Sequence, residues 1–174
     1  GICNSRWSDD YDLCLELYSL FGEVAVQLGQ HEEAIITTRE VEGNAKSLDD
    51  KFRSQCVMLK CLVAGNDRDY ALGADKALEI LKLYGEKLPR KLLPGQLFIE
   101  NQRLKKKLPG GRLEGLMDLP DMVDGRSMKV TRLLLRHVGM YSLMTRKKGK
   151  GVGAFSALRA LNIACTKGVS SDTP

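Results

Sequence analysis

The sequence predicts an all-α fold, a right-handed superhelical array of antiparallel helix pairs that extends over residues 1–174 as one region of about seven helices. Apolar residues recur at helical spacing, and no segment shows the alternation that predicts a strand. A helical hairpin with a Gly-containing polar turn also occurs twice, in residues 18–41 and 55–78. The second helices of these hairpins open at Ala34 and Ala71, 37 residues apart, a period typical of stacked helical repeats.

The first hairpin is predicted from two amphipathic segments. We expect the first helix from about Asp10 to Gln27 and the second from His31 to near Lys46, with Gly29 between them. One stripe of the first helix is predicted to face the core, formed by Leu13, Leu17, Leu20, Phe21, Val24 and Leu28. The second helix is predicted to pack through Ala34, Ile35, Thr38 and Val41.

The second hairpin begins after a capping signal. Ser47 is followed three residues later by Asp50, the pattern of a capping box. The expected stripe of the third helix is Phe52, Cys56, Leu59 and Val63. Asp67 is expected to cap the fourth helix, which ends near Gly85. The stripe of that helix is Tyr70, Ala74, Ala77, Leu78 and Leu81.

Three more helices are predicted after residue 90. The fifth has Pro94 in its first turn and a body from residue 96 to about 107. Residues 108–124 are rich in Gly and Pro and predict a long irregular connection with one short helical turn. Asp124 is expected to cap a sixth helix over residues 125–144, and a basic turn over residues 146–151 leads to a seventh helix over about residues 152–167.

Composition excludes several classes. The chain has 27 Lys and Arg against 22 Asp and Glu, a mild excess that is concentrated in two clusters. No apolar run of membrane-spanning length and no signal peptide is recognised. The five cysteines form no metal-ligand spacing, so we expect reduced, buried thiols in a cytosolic protein: Cys3, Cys14, Cys56, Cys61 and Cys165. Because the sequence starts at Gly1, we expect a piece of a longer chain.

The first hairpin resembles a tetratricopeptide repeat (TPR). With Ala34 aligned to the Ala that opens helix B, Gly22 takes the Gly position of helix A and Phe21 its neighbouring apolar position. Tyr18 then takes the position of the first aromatic residue. In the second hairpin Leu59 stands at the Gly position, so its helices are expected to cross at a different angle or farther apart. The resemblance therefore implies a degenerate TPR-like solenoid.

A second resemblance covers about residues 12–170. The segments LYGEKLP at residues 83–89 and LPDMVD at residues 119–124 are similar to the helical-repeat region of large signalling ATPases. In that family the repeats often follow protein-kinase and AAA-type ATPase domains, and they often precede a GAF domain and a histidine-kinase or cyclase domain. This resemblance implies a non-catalytic, cytoplasmic scaffold for signal transduction. Its implied partners are other domains of the parent chain and a protein on the concave face.

No residue pattern predicts catalysis, a cofactor or a metal. Gly149, Gly151 and Ala154 fit a dinucleotide fingerprint, but no predicted strand precedes them, so we expect a flexible turn. Asp118, Asp121 and Asp124 lack the further ligands of a calcium loop and are expected in turns and caps. His31 and His137 have no predicted catalytic partner and are expected to be structural.

Two basic clusters define an alternative function, a module that binds nucleic acid or anionic lipid through residues 103–112 and 146–150. The candidate anion contacts are Arg103, Lys105, Lys106, Lys107, Arg146, Lys147, Lys148 and Lys150, with Arg112 beside the first cluster. Neither cluster contains interleaved aromatic residues for base stacking. Solvated helix ends are therefore the favoured interpretation, and nucleic acid is not the expected partner.

Overall fold

The computed structural model describes residues 7–64, 68–108, 112–145 and 150–170. Its α-helices are α1 (Tyr11–Gln27), α2 (His31–Asn44), α3 (Phe52–Leu62), α4 (Tyr70–Leu83), α5 (Gln96–Lys107), α6 (Gly125–Arg132), α7 (Met140–Met144) and α8 (Lys150–Lys167). A 3₁₀-helix (Leu113–Asp118) precedes α6, and a π-helical segment (Leu133–Gly139) joins α6 to α7. The prediction of an all-α chain is confirmed, because no strand forms in these ranges.

The chain divides into two compact units, residues 1–69 and residues 70–174. The boundary falls between α3 and α4, the two helices that the repeat pattern assigned to the second hairpin. The predicted first hairpin, in contrast, lies wholly within the first unit as α1 and α2.

In the first unit, α1, α2 and α3 pack against one another. Ala25, Ala34 and Val57 form the centre of this core, with Val26 and Cys61 beside them. Gly22 lies at the same contact, because a Cβ at that position would be 3.7 Å from Thr37 Cγ2 on α2 and 3.7 Å from Val57 Cγ1 on α3. Small side chains therefore set the close approach of these three helices.

Local hydrogen bonds order the start of α1 and the connection that precedes α3. The Asp10 side chain accepts a hydrogen bond from the Leu13 backbone N–H and caps α1. Before α3, the Ser47 hydroxyl accepts from the Asp50 N–H at 3.1 Å, and the Asp50 carboxylate accepts from the Ser47 N–H at 3.0 Å. This reciprocal pair is the predicted capping box, and it orders the connection between α2 and α3.

In the second unit, α8 packs against α5 and the π-helical segment, and α4 packs against the π-helical segment and α7. Fully buried apolar residues at these contacts are Ala77, Leu81, Leu133, Leu134, Val138, Ala160 and Ala164. Gly85 lies two residues beyond the end of α4, and its φ of +84° is left-handed and favours glycine. The predicted α4 stripe is confirmed for Ala74, Ala77, Leu78 and Leu81, which are all buried.

The connection between α5 and α6 is fastened to the end of α8. Asp121 and Val169 form an isolated parallel bridge, in which Val169 N–H donates to the Pro120 carbonyl at 2.9 Å and Met122 N–H donates to the Val169 carbonyl at 2.7 Å. The short helical turn predicted in this connection is confirmed as the 3₁₀-helix. Asp124 then caps α6 through the Arg126 N–H, as predicted.

Candidate functional site

The predicted core stripe of α1 lies on the outside of the protein. Its six apolar side chains are between 42% and 69% exposed. We call this surface the α1 apolar face, and it consists of Leu13, Leu17, Leu20, Phe21, Val24 and Leu28. The buried side of α1 carries Ser19, Gly22 and Ala25 instead. The prediction of the core-facing side was wrong because small residues, rather than large apolar ones, allow α1 to lie close to α2 and α3.

The α1 apolar face is continuous and large. At 100° per residue its centre is about 150° around the helix from the buried side. It runs for four turns, or about 23 Å, and exposes on the order of 600 Å² of apolar surface. Few monomers present a larger apolar patch, and such patches mark interaction surfaces.

One edge of the α1 apolar face is acidic, because Asp12, Glu16 and Glu23 lie along it. Arg53 of α3 donates to Glu16 at 2.6 Å and forms two 2.9 Å hydrogen bonds to Glu23. The hydrogen bonds to Glu23 are the largest cause of a raised Arg53 pKa. This fork holds α1 and α3 together and keeps two carboxylates beside the apolar side chains.

An aromatic cluster at the start of α1 was not predicted. Trp7 is buried, stacks on Tyr18 with ring centroids 5.3 Å apart, and donates from Nε1 to Glu40 at 3.1 Å. Tyr11 donates from its hydroxyl to Asp50 at 2.6 Å. Burial, followed by this hydrogen bond, raises the pKa of Tyr11, and the same hydrogen bond is the main cause of a lowered Asp50 pKa. These contacts fasten α1 to α2 and to the α2–α3 connection.

The predicted repeat positions occupy different environments. Gly22, Ala34 and Leu59 are buried in the first unit, and Tyr18 is half-buried against Trp7. Phe21 is 55% exposed, so it belongs to the α1 apolar face and not to a helix contact. Ala71 is also exposed, and the small buried residues of α4 are Gly73, Ala74 and Ala77.

The first basic cluster lies at the C-terminal end of α5 and just beyond it. Lys105, Lys106, Lys107 and Arg112 are exposed, and Arg103, which is exposed as well, pairs with Glu100 at 3.2 Å. Of the second cluster, Arg146, Lys147 and Lys148 lie outside the described residues, as does the side chain of Lys150. The two clusters are therefore not seen together as one surface.

A buried polar network joins α5 to α8. Glu100 is 1% exposed and accepts from the Asn162 amide at 3.0 Å and from Arg159 at 3.5 Å. Arg159 also donates to both carboxylate oxygens of Glu86 at 3.1 Å. Pairing with Arg159 and Asn162 offsets the desolvation of Glu100. No sequence pattern indicated that this glutamate would be buried while Phe98 and Ile99 are exposed.

The part of the glycine fingerprint that the structure describes lies in a helix. Gly151 and Gly153 lie inside α8, so the prediction of a turn up to residue 151 was wrong; Gly149 lies outside the described residues. A Cβ at Gly153 would be 2.9 Å from Leu143 Cγ and 3.1 Å from the Gly139 carbonyl oxygen. This glycine therefore serves the close crossing of α8 over the end of the π-helical segment and α7.

The remaining candidates have structural environments. His137 is buried, with Nδ1 3.0 Å from the Tyr141 hydroxyl, and His31 is the first residue of α2. Asp118 ends the 3₁₀-helix, and Asp121 forms the bridge to Val169. Within the described ranges, no three His, Cys, Asp or Glu side chains are grouped as metal ligands.

Four cysteines are free and half-buried rather than fully buried: Cys14, Cys56, Cys61 and Cys165. Cys3 lies outside the described residues. Burial raises the pKa of Cys61 and of Cys165 above the ordinary thiol value. Raised thiol pKa values reduce the thiolate fraction, so neither cysteine has the environment of an activated nucleophile.

No protein-family model matches the chain, and comparison with curated proteins and with solved structures found no match. The resemblance to signalling ATPases therefore stays a prediction from the residues. In the part of the chain that the structure describes, no helix combines the length and the apolarity needed to cross a membrane.

Proposed function

We propose that the chain is a non-catalytic helical scaffold that binds a protein partner through the α1 apolar face. The observation that carries this proposal is the exposure of six large apolar side chains on one stripe of a well-packed helix. Leaving such a stripe in water is unfavourable by roughly 25 cal/mol per Å². A partner that covers it gains this free energy on binding.

The partner that fits this face is an amphipathic helix with basic residues along its flanks. An apolar stripe of four turns on one helix can pack against the apolar stripe of a second helix, on which anchors repeat at i, i+3, i+4 and i+7. The basic flanks follow from charge, because residues 1–69 contain 13 Asp and Glu against 7 Lys and Arg, a net charge of −6. A second copy would bring the same negative charge to the contact and is disfavoured.

The resemblance described above supplies a context for this proposal. In a signalling ATPase of the cytoplasm, the partner helix belongs to another domain of the parent chain or to a separate output protein. The helix pairs are then a degenerate TPR-like solenoid with a concave binding face. The alternative, a module for nucleic acid or anionic lipid, places function in the basic residues of the second unit.

A designed peptide tests the proposal. An 18-residue helix with Leu at i, i+4, i+7 and i+11 and with Lys flanks, labelled with a fluorophore, is titrated with the 174-residue chain by anisotropy. We expect micromolar affinity that falls at least tenfold, about 1.4 kcal/mol, in the double variant Leu17→Asp/Phe21→Asp. Ile36→Asp is the matched control, because Ile36 is 67% exposed on α2, outside the α1 apolar face.

Each outcome bears on the proposal. Unchanged peptide affinity in Leu17→Asp/Phe21→Asp contradicts it, as does an equal loss in Ile36→Asp. A Glu-flanked peptide that binds as tightly as the Lys-flanked one contradicts the assignment of basic flanks. Sedimentation tests whether a second copy of the chain, instead of a partner helix, covers the α1 apolar face. A wild-type dimer that becomes monomeric in the double variant would show that a second copy covers it. Should the double variant unfold, Leu17→Ser provides the milder change.

A further inference from the structure

The second unit carries a strong positive charge that the whole-chain composition conceals. Residues 70–174 contain 20 Lys and Arg against 9 Asp and Glu, a net charge of +11, beside −6 for residues 1–69. A positive field of this size raises the local concentration of anions. It also makes any cavity lined by cations in this unit a candidate anion site.

Such a cavity, of about 280 Å³, opens in the second unit. We call it the basic cleft. Four cationic residues line it: Lys107 at the end of α5, Arg126 at the start of α6, and Arg159 and Lys167 on α8. Elements far apart in the sequence bring these cations together, so neither predicted basic cluster revealed the site. Lys107 is the single residue shared with those clusters.

The guanidinium of Arg126 is held in a fixed position. Its Nε donates to the Tyr84 carbonyl at 2.8 Å, and its Nη2 lies where a Cβ at residue 85 would stand. Gly85, with its left-handed φ, therefore makes room for the guanidinium. An arginine ordered in this way loses little conformational entropy when it binds an anion.

Carboxylates neutralise the basic cleft only in part. Glu86 pairs closely with Arg159, and Asp124 approaches Lys167 at 3.9 Å. Among the described residues, no carboxylate lies within 4.0 Å of the cationic nitrogens of Arg126 or Lys107. Two cations thus lack a close carboxylate, and a third, Lys167, has a distant one.

We propose that the basic cleft binds a dianionic phosphate monoester. The ordered Arg126 fork matches two phosphate oxygens, and Lys107 and Lys167 act as point charges on the same group. Two negative charges and three acceptor oxygens suit three incompletely neutralised cations better than a carboxylate does. The remaining volume accommodates a small organic group, either a phosphorylated metabolite or a phosphorylated side chain of a protein.

Calorimetry on the 174-residue chain tests the site. Inorganic phosphate is titrated at constant ionic strength and at a pH of about 7.5, where a phosphate monoester is largely dianionic. We expect binding that weakens at least fivefold in Lys107→Gln. Lys106→Gln is the matched control: it removes the same charge from the neighbouring exposed residue, which does not line the cleft, and it should retain wild-type affinity. Arg126→Lys, which keeps the charge but loses the fork, should weaken binding similarly.

Ribose 5-phosphate and a phosphoserine peptide then distinguish the two sources, since the true ligand class binds more tightly than inorganic phosphate. Equal losses in Lys107→Gln and Lys106→Gln would show diffuse attraction and overturn the proposal. Absence of phosphate binding at millimolar concentration would overturn it as well. A single-stranded RNA that binds with steep salt dependence, and equally in Lys107→Gln, would replace the monoester with a polyanion surface. Leu17→Asp/Phe21→Asp should leave phosphate binding unchanged. A failure of the phosphate proposal can therefore be distinguished from a failure of the proposal that the α1 apolar face binds a protein partner.

Discussion

Gly22 offers the sharpest test of how the first unit is packed. A Cβ at this position meets Thr37 and Val57 at 3.7 Å, which is ordinary van der Waals contact. An alanine methyl group therefore fits without movement. The further carbons of leucine extend about 1.5 Å per bond and overlap α2 or α3 unless one of these helices moves.

The magnitudes follow from these distances. Gly22→Ala gains helix propensity of up to about 1 kcal/mol and is expected to be neutral or stabilising. Gly22→Leu gains a similar propensity but overpacks the contact, and overpacking costs roughly 1–3 kcal/mol. We expect Gly22→Leu to lower the free energy of unfolding relative to Gly22→Ala by at least about 1 kcal/mol.

Urea unfolding followed by tryptophan fluorescence measures the effect on the first unit, because Trp7 is the single tryptophan of the chain. Gly43→Leu is the matched control, since a Cβ at Gly43 meets nothing within 4 Å and the position lies in α2. That variant should be as stable as wild type or more so. If Gly22→Leu proves as stable as Gly43→Leu, the tight contact of α1 with α2 and α3 is refuted.

Two further predictions concern stability. Tyr11→Phe removes the hydrogen bond that lowers the Asp50 pKa. In the wild type this stabilisation is present above the unfolded pKa of 3.8 and is lost as the pH falls through the lower folded value. When urea midpoints are measured against pH, the midpoint of Tyr11→Phe should therefore decrease less than that of the wild type as the solution is acidified. Gly153→Ala should destabilise the protein by about 1–3 kcal/mol in thermal unfolding. The added Cβ would lie too close to Leu143 Cγ and to the backbone carbonyl oxygen of Gly139. Gly125→Ala, in open space, should not destabilise the protein, and equal melting temperatures for the two would contradict the close crossing.

Local signals predicted the helices well. Asp124 caps the helix that it was expected to cap, α1 begins next to Asp10 as expected, the Ser47–Asp50 pair forms its two hydrogen bonds, and Gly85 follows the end of α4. Each of these signals depends on backbone groups within four residues. Their physical cause is therefore present in the sequence itself.

The side of a helix that faces the core was harder to predict. Periodicity showed that α1 has a large apolar stripe, and burial of that stripe was the natural expectation. The opposite side carries the small residues Ser19, Gly22 and Ala25. Their hydropathy is close to neutral, so they produce no visible apolar stripe in the sequence. The small residues are buried because they let the helices approach closely, and close helix contacts gain dispersion energy over many atoms.

By itself, the sequence determined the helical class, most helix ends and the turn glycines, because these depend on neighbouring residues. Tertiary structure alone decided that Glu100 is buried with Asn162 and Arg159, and that Arg126 meets Lys107 and Lys167 in one cleft. It also decided that the α1 apolar face is left outside. Such outcomes depend on which surfaces of different helices meet, and burial free energy summed over whole helices selects them.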